Sequence, residues 1–187
     1  MLSKNFILAS QSPRRRELLH LLDIKFKVVP SDVEEIIKEG LSFPEVVMDL
    51  ATQKAQAIAS EYPEATILGF DTLVILDDEA LGKPINRDDA FDMLKRLNGR
   101  THTVITGCAL VCCEEVVTLY DEADVTFVSM TDDEINEYLD TGEPFDKAGA
   151  YGIQGYGGRY ISRVEGDFYS VMGVPLRKLY QLIRGLS

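Results

Sequence analysis

FILASQSPRRRELL, residues 6–19, decides the fold. FILAS reads as a short buried strand, and Ser12-Pro13 then opens a helix. Serine is a good N-cap, and proline suits the first helical position, where no amide is needed. Leu18, Leu19 and Leu22 supply the apolar stripe of that helix. Arg14, Arg15 and Arg16 fall in its first turn, which is the wrong end for cations. A helix N-terminus carries roughly +0.5 of a charge, so each misplaced cation costs on the order of 0.3–1 kcal/mol. On that account alone, removing Arg15 should spare thermal stability. An anion bound there would reverse the sign, because unpaired amides already point outward and guanidinium groups grip phosphate oxygens in a fork. With the hydroxyls of Ser10 and Ser12 nearby, the strand–loop–helix is a candidate phosphate cradle. It is not a P-loop, since G-x-x-x-x-G-K-[ST] is missing. A lone run of three arginines is as readily a solvated face. The cap, the serines and the buried strand favour the cradle.

Downstream, FKVVPS at 26–31 reads as a second strand that ends in acidic DVEE. A long helix is expected over 44–60, with Val47, Leu50, Ala51, Ala55 and Ile58 at helical spacing. Residues 65–76 form a strand, DDEA turns into LGKP, and 87–97 form a helix. That helix has Asn86 as cap, Asp88 and Asp89 in its first turn, Lys95 and Arg96 in its last, and Gly99 beyond. Two long β-branched segments, THTVITGCALVCC and VVTLYDEADVTFVSM, suggest a hairpin about Glu114-Glu115. T-D-D-E at 131–134 is a capping box starting a helix that ends near Gly142. The Gly- and Tyr-rich segment 142–160 should be a structured loop. RYISRVEGD and FYSVM look like short strands, and Pro175 starts a terminal helix. Strands mixed with helices, including a long hairpin, give an α/β class with a mixed sheet and flanking helices.

The chain has 187 residues, of which 45% are hydrophobic and 27% charged. Its net charge of −12 argues against nucleic acid polymers and anionic membranes as partners. A small anionic ligand stays open to it where basic residues are concentrated. The start shows no charged-then-apolar leader, and no apolar stretch approaches the roughly 20 residues of a membrane span. A cytoplasmic location is therefore expected. The three cysteines, Cys108, Cys112 and Cys113, share one apolar segment. They read as buried reduced thiols in a strand rather than a disulfide framework or zinc site.

Asp71 interrupts the apolar run ILGFDTLVIL, where Gly69 and Leu73 would share its face. An unpaired buried carboxylate is costly, so a metal, a cation or a solvent-lined cleft should stand beside it. Asp32, Glu34 and Glu35 offer hard oxygen ligands, although such a run is by itself usually a solvated turn. Lys83 could neutralise a phosphate, but a surface lysine is the commoner case. His20 and His102 are isolated and look non-catalytic.

The blocks ILASQSPRRRELL, GFDTLVI, LGKP, LNGRTHTVITG and EPFDKAGAYGIQG, in order along nearly the whole chain, closely resemble the Maf family of nucleoside triphosphate pyrophosphatases, once named for septum formation. The resemblance implies a single domain over 1–187, with two lobes around a deep cleft and no separable linker, similar to inosine triphosphate pyrophosphatases. It implies a divalent metal (magnesium, manganese or cobalt) and often a homodimer. It places the general base at Asp71 and the phosphate and metal environment at Ser10, Arg14, Arg15, Glu35, Lys54 and Lys83. Asp71 and Glu35 are the metal carboxylates on this reading, although the acidic run could slip by one, to Glu34. The positions that separate substrate branches correspond to Arg14, Thr72 and Gln154, which read as in the branch hydrolysing dTTP and UTP to monophosphate and pyrophosphate. A modified pyrimidine nucleotide is a further candidate substrate. The competing function is a nucleotide-binding regulator of septum formation with little hydrolysis.

Overall fold

The computed structural model describes residues 5–185. The leaderless start expected over residues 1–4, and the last two residues of the expected domain, lie outside it. Among the described residues seven strands, β1 (Phe6–Leu8), β2 (Phe26–Val28), β3 (Thr66–Leu76), β4 (Glu79–Leu81), β5 (Thr101–Cys112), β6 (Glu115–Phe127) and β7 (Ile161–Gly166), form one mixed sheet in the order β2-β1-β3-β5-β6-β7, with β4 paired to β3. The described chain divides into two compact units. The first comprises 5–72, 106–121 and 173–185, and the second 73–105 and 122–172.

In the first unit, β1 (Phe6–Leu8) is buried throughout. It pairs in parallel with β2 (Phe26–Val28) on one side and with β3 (Thr66–Leu76) on the other. That burial explains the uninterrupted apolar run, since a central parallel strand is covered on both faces. Helix α1 (Pro13–His20) follows β1 directly, with Ser12 as its cap and proline in its first turn. Helix α2 (Phe43–Ala59) starts where Ser42 N–H and Oγ donate to Glu45, at 2.8 and 2.6 Å. Ala55 and Ile58 of α2 pack on Ile7, Ala9, Ile67 and Val111.

Two glycines set how closely α2 lies on the sheet. A Cβ at Gly69 in β3 would meet the Ala51 carbonyl oxygen at 2.0 Å, and one at Gly107 in β5 (Thr101–Cys112) would lie 2.5 Å from the Val47 backbone. The helix therefore rests on bare backbone. Both residues sit in the motif blocks GFD and ITG, for this packing reason.

The second unit contains β4 (Glu79–Leu81), α3 (Arg87–Leu97), α4 (Asp132–Asp140), β7 (Ile161–Gly166) and α5 (Phe168–Val171). Its core joins Val74, Leu94, Leu97, Val125, Phe127, Ile135, Tyr138 and Leu139. The caps fall where expected: Asn86 Oδ1 accepts from Asp89 N at 2.9 Å, and Thr131 N–H donates to Glu134 at 2.8 Å. Strand β6 (Glu115–Phe127) pairs antiparallel with β7 through an irregularity at Thr126/Phe127. β5 and β6 are neighbours in the sheet, joined by a turn at 113–114, and form the expected hairpin. Helix α6 (Leu176–Gly185) closes the chain in the first unit.

Three local expectations change, and one, the structured loop, gains detail. FYSVM is a helical turn, α5, because Asp167 caps it by accepting from Ser170 N and Oγ at 2.9 and 2.6 Å. DDEA is more than a turn: Asp77 and Asp78 take positive φ, and Glu79–Leu81 then folds back antiparallel on β3. The loop 142–160 is built of three 3-10 turns, Glu143–Asp146, Ala148–Ala150 and Tyr156–Tyr160. Cys108 and Cys112 are buried, but Cys113 stands exposed at the hairpin end with φ 53°. Burial pushes the Cys108 thiol far above its ordinary range, which makes it inert.

Candidate active site

The closeness of α2 to β3 brings Lys54 to Asp71. Asp71 is two residues beyond Gly69, on the same face of β3, and Lys54 lies one turn beyond Ala51, the residue that touches Gly69. Lys54 Nζ reaches Asp71 Oδ1 at 2.5 Å and Glu35 Oε1 at 3.0 Å. Two carboxylates from separate parts of the chain therefore converge on one ammonium. Asp71 is 7% exposed, Lys54 is half-buried and Glu35 is open to solvent. Glu34 is exposed as well, and of that acidic run it is Glu35 that the structure pairs with Lys54.

Burial raises the pKa of Asp71 above the ordinary carboxylate value. The Lys54 ammonium, and more weakly Arg15, pull it back down, while Glu35 adds to the rise. Such a carboxyl is more basic than an exposed aspartate and better suited to accept a proton near neutral pH.

Arg15 is held rather than splayed. Its Nε donates to Gly173 O at 3.1 Å, Nη2 to Thr72 Oγ1 at 3.1 Å, and Nη1 to Ser10 Oγ at 3.5 Å. Thr72 in turn shares a 2.9 Å hydrogen bond with Thr106. Burial lowers the guanidinium from its usual value against the opposing pull of Asp71. Three of the five guanidinium N–H groups are thus used in fixing it, and a fork so held has two left for an anion. The expectation that removing Arg15 would spare stability does not survive these contacts. They offset the cost of a cation at a helix start.

Ser12 spends its hydroxyl as the helix cap, accepting from Arg15 N at 3.4 Å. Ser10, 9% exposed, accepts from Ser12 N at 3.2 Å. Arg14 is half-buried and Arg16 exposed. Arg16 lines a hollow with Ser10, Gln11, Ser12, Glu17 and His20. In the first unit, then, the structure brings together Ser10, Arg15 and Thr72 as one group and Glu35, Lys54 and Asp71 as another. In the second unit Lys83, just past β4, and Gln154 are both exposed.

From the residues alone, Asp71 and the arginines are visible but Lys54 is not. A lysine in a helix is unremarkable until Gly69 shows which strand that helix covers. Thr106 and Gly173 carry no sequence signal of their own. Among the described residues, no cluster of three or more His, Cys, Asp or Glu is arranged to hold a metal ion by itself, and no helix is long and apolar enough to cross a membrane.

The model of a family described as Maf-like protein matches residues 5–186. A dTTP/UTP pyrophosphatase of Bacillus cytotoxicus is 48% identical over 181 residues, covering 97% of this chain and 95% of that one. Its counterpart in Bacillus velezensis is 46% identical over 183 residues, covering 98% and 97%. Among solved structures, the Staphylococcus aureus Ham1 protein aligns with a TM-score of 0.47 at 12% identity, over 66% of this chain and 71% of that one.

Proposed function

The chain belongs to the Maf-like protein family, and on that footing we propose that it is a nucleoside triphosphate pyrophosphatase acting on dTTP and UTP. The relatives bearing that name match over nearly their full length. The observation that carries the chemistry is the convergence of the buried Asp71 carboxylate and of Glu35 on the Lys54 ammonium.

Asp71 takes a proton from a water molecule. The water oxygen bonds to a phosphorus of the α–β linkage, and the bond to the bridging oxygen breaks, leaving monophosphate and pyrophosphate. Lys54 keeps Asp71 ionised enough to act as base. Arg15, fixed by Gly173, Thr72 and Ser10, presents its remaining N–H groups to phosphate oxygens, and Arg14 adds charge. Oriented cations of this kind stabilise charge that grows in the transition state.

A divalent cation fits the donor set. The Asp71 and Glu35 carboxylates already point at a common cation, and magnesium is usually held by one or two carboxylates with substrate phosphates completing its shell. These two residues would hold it, and it would supply Lewis-acid neutralisation of the phosphates. Gln154, whose amide offers a donor beside an acceptor, selects the uracil or thymine edge. A cytoplasmic location goes with this reading.

The test is to incubate the pure protein with magnesium and a panel of nucleotides and to measure pyrophosphate release. Release from dTTP and UTP ahead of dATP and dGTP is expected. Release no greater than that from Asp71→Asn protein would overturn the proposal.

A further inference from the structure

The glycines around Gln154 answer to a carboxylate. Glu143 opens the first 3-10 turn of the segment 142–160, and its side chain turns inward on the loop GIQGYGG. Glu143 Oε2 accepts from Tyr156 N at 2.8 Å, and Oε1 accepts from Gly157 N at 3.1 Å and from Tyr138 Oη at 2.8 Å. The same Tyr138 hydroxyl accepts from Gly152 N at 3.0 Å. One carboxylate and one phenol therefore tie down both ends of the loop from Gly152 to Gly157, with exposed Gln154 between the tied amides.

The spacing leaves no room for side chains. A Cβ at Gly155 would lie 1.9 Å from Glu143 Oε2, and one at Gly157 would lie 2.7 Å from Tyr138 Oη. These glycines let the backbone reach Glu143 and Tyr138. Burial pulls the Glu143 pKa up, but the Gly157 amide, the Tyr138 hydroxyl, the Tyr156 amide and the Lys147 charge together hold it below the usual glutamate value. The carboxylate stays ionised and keeps accepting. Tyr138 shifts the other way, raised by burial and by Glu143, so its phenol keeps its proton.

We propose that Glu143, with Tyr138, is the positioning clamp that holds Gln154 for selection of the base. This rests on the assignment of Gln154 as base reader, and the test separates the two. The clamp acts on specificity through Gln154, so its loss should matter only while Gln154 is present. Glu143→Gln retains the length of the side chain but replaces one acceptor with an NH2 group, which then faces a backbone N–H donor.

kcat/KM for dTTP and dGTP is measured in wild type, Glu143→Gln, Gln154→Ala and the double variant, with amide hydrogen exchange followed over 152–157. Glu143→Gln should speed exchange there, raise KM for dTTP and shrink the dTTP:dGTP ratio about tenfold, the scale of a lost charge-assisted hydrogen bond. In the Gln154→Ala background it should change the ratio no further, the non-additivity of residues acting as one unit. An unchanged ratio in Glu143→Gln, or an equal change in both backgrounds, overturns the clamp while leaving Gln154 as reader. A ratio untouched by Gln154→Ala overturns the base-reading assignment, and the clamp's role in selection with it. Tyr138→Phe, which removes only the hydroxyl, is held to the same outcomes should Glu143→Gln fold poorly.

Discussion

Asp71 and Glu143 are carboxylates wholly or partly withdrawn from solvent, one in each compact unit, yet their environments push them in opposite directions. Asp71 lies in a strand, and burial dominates its shift despite the Lys54 ammonium. Glu143 lies in a turn, where two backbone amides and a phenol donate to it. The difference lies in the supply of donors. A carboxylate surrounded by N–H and O–H groups is locked as an anion and serves structure, whereas one short of donors is left basic and ready to take a proton. A buried acid therefore reads as chemical or structural only once its donors are known.

The contrast breaks most sharply at Asp71. Asp71→Asn keeps the shape and an acceptor for Lys54 but removes the basic oxygen. Turnover should fall by ~10² or more with the unfolding midpoint little changed. Near-wild-type kcat would end the role of Asp71 as base.

A second test uses His102, another group in the second unit whose charge state is fixed by its surroundings. It is 3% exposed, its Nε2 is 2.7 Å from Tyr151 Oη, and Nδ1 has no hydrogen-bond partner. Burial depresses its pKa to about 4, only weakly opposed by Asp124. The folded state therefore refuses a proton that the unfolded chain accepts from about pH 6.5 downward. Stability is fully present above pH 6.5 and is lost as pH falls towards 4, by roughly 3 kcal/mol over that window. Urea unfolding at pH 7 and pH 4.5 checks it: wild type should lose more between the two than His102→Phe does. Equal losses would show that His102 is not held neutral.

Removal of the other carboxylate gives a third. Glu143→Ala strands the donors it collects and should cost ~1.5–3 kcal/mol in urea unfolding at pH 7. Since its pKa is lowered, its contribution is present above the ordinary glutamate range and fades as pH falls through the folded value. An unchanged midpoint would remove Glu143 from the structural side of the comparison.

The smallest effect is a displacement of the pH profile. Lys54→Gln removes the main charge holding the Asp71 pKa down, so the acid limb of kcat/KM should move to higher pH. A limb that stays put or moves lower would mean that another group sets it.

Much of the fold can be read from the chain itself. β1 and α1 are written in FILAS-SP because a continuous apolar run needs burial on both faces and because serine and proline fit a helix start. The caps at Asn86, Thr131 and Glu134 are equally plain, since capping is a matter of a few adjacent residues. Asp71 stands out because a carboxylate in an apolar strand demands a reason. The residues alone do not show that FYSVM turns helical, for its β-forming side chains outvote a single cap at Asp167 until the backbone is seen. Nor do they separate Arg15 from Arg16. The two are neighbours of one type, but a helix turns about 100° between them, and only the fold brings Gly173, from 158 residues away, to meet the first. Lys54 and Glu143 are invisible as partners for the same reason. Local order follows from neighbours along the chain, while the donors that set a carboxylate's pKa arrive from distant segments and are fixed only when those segments pack.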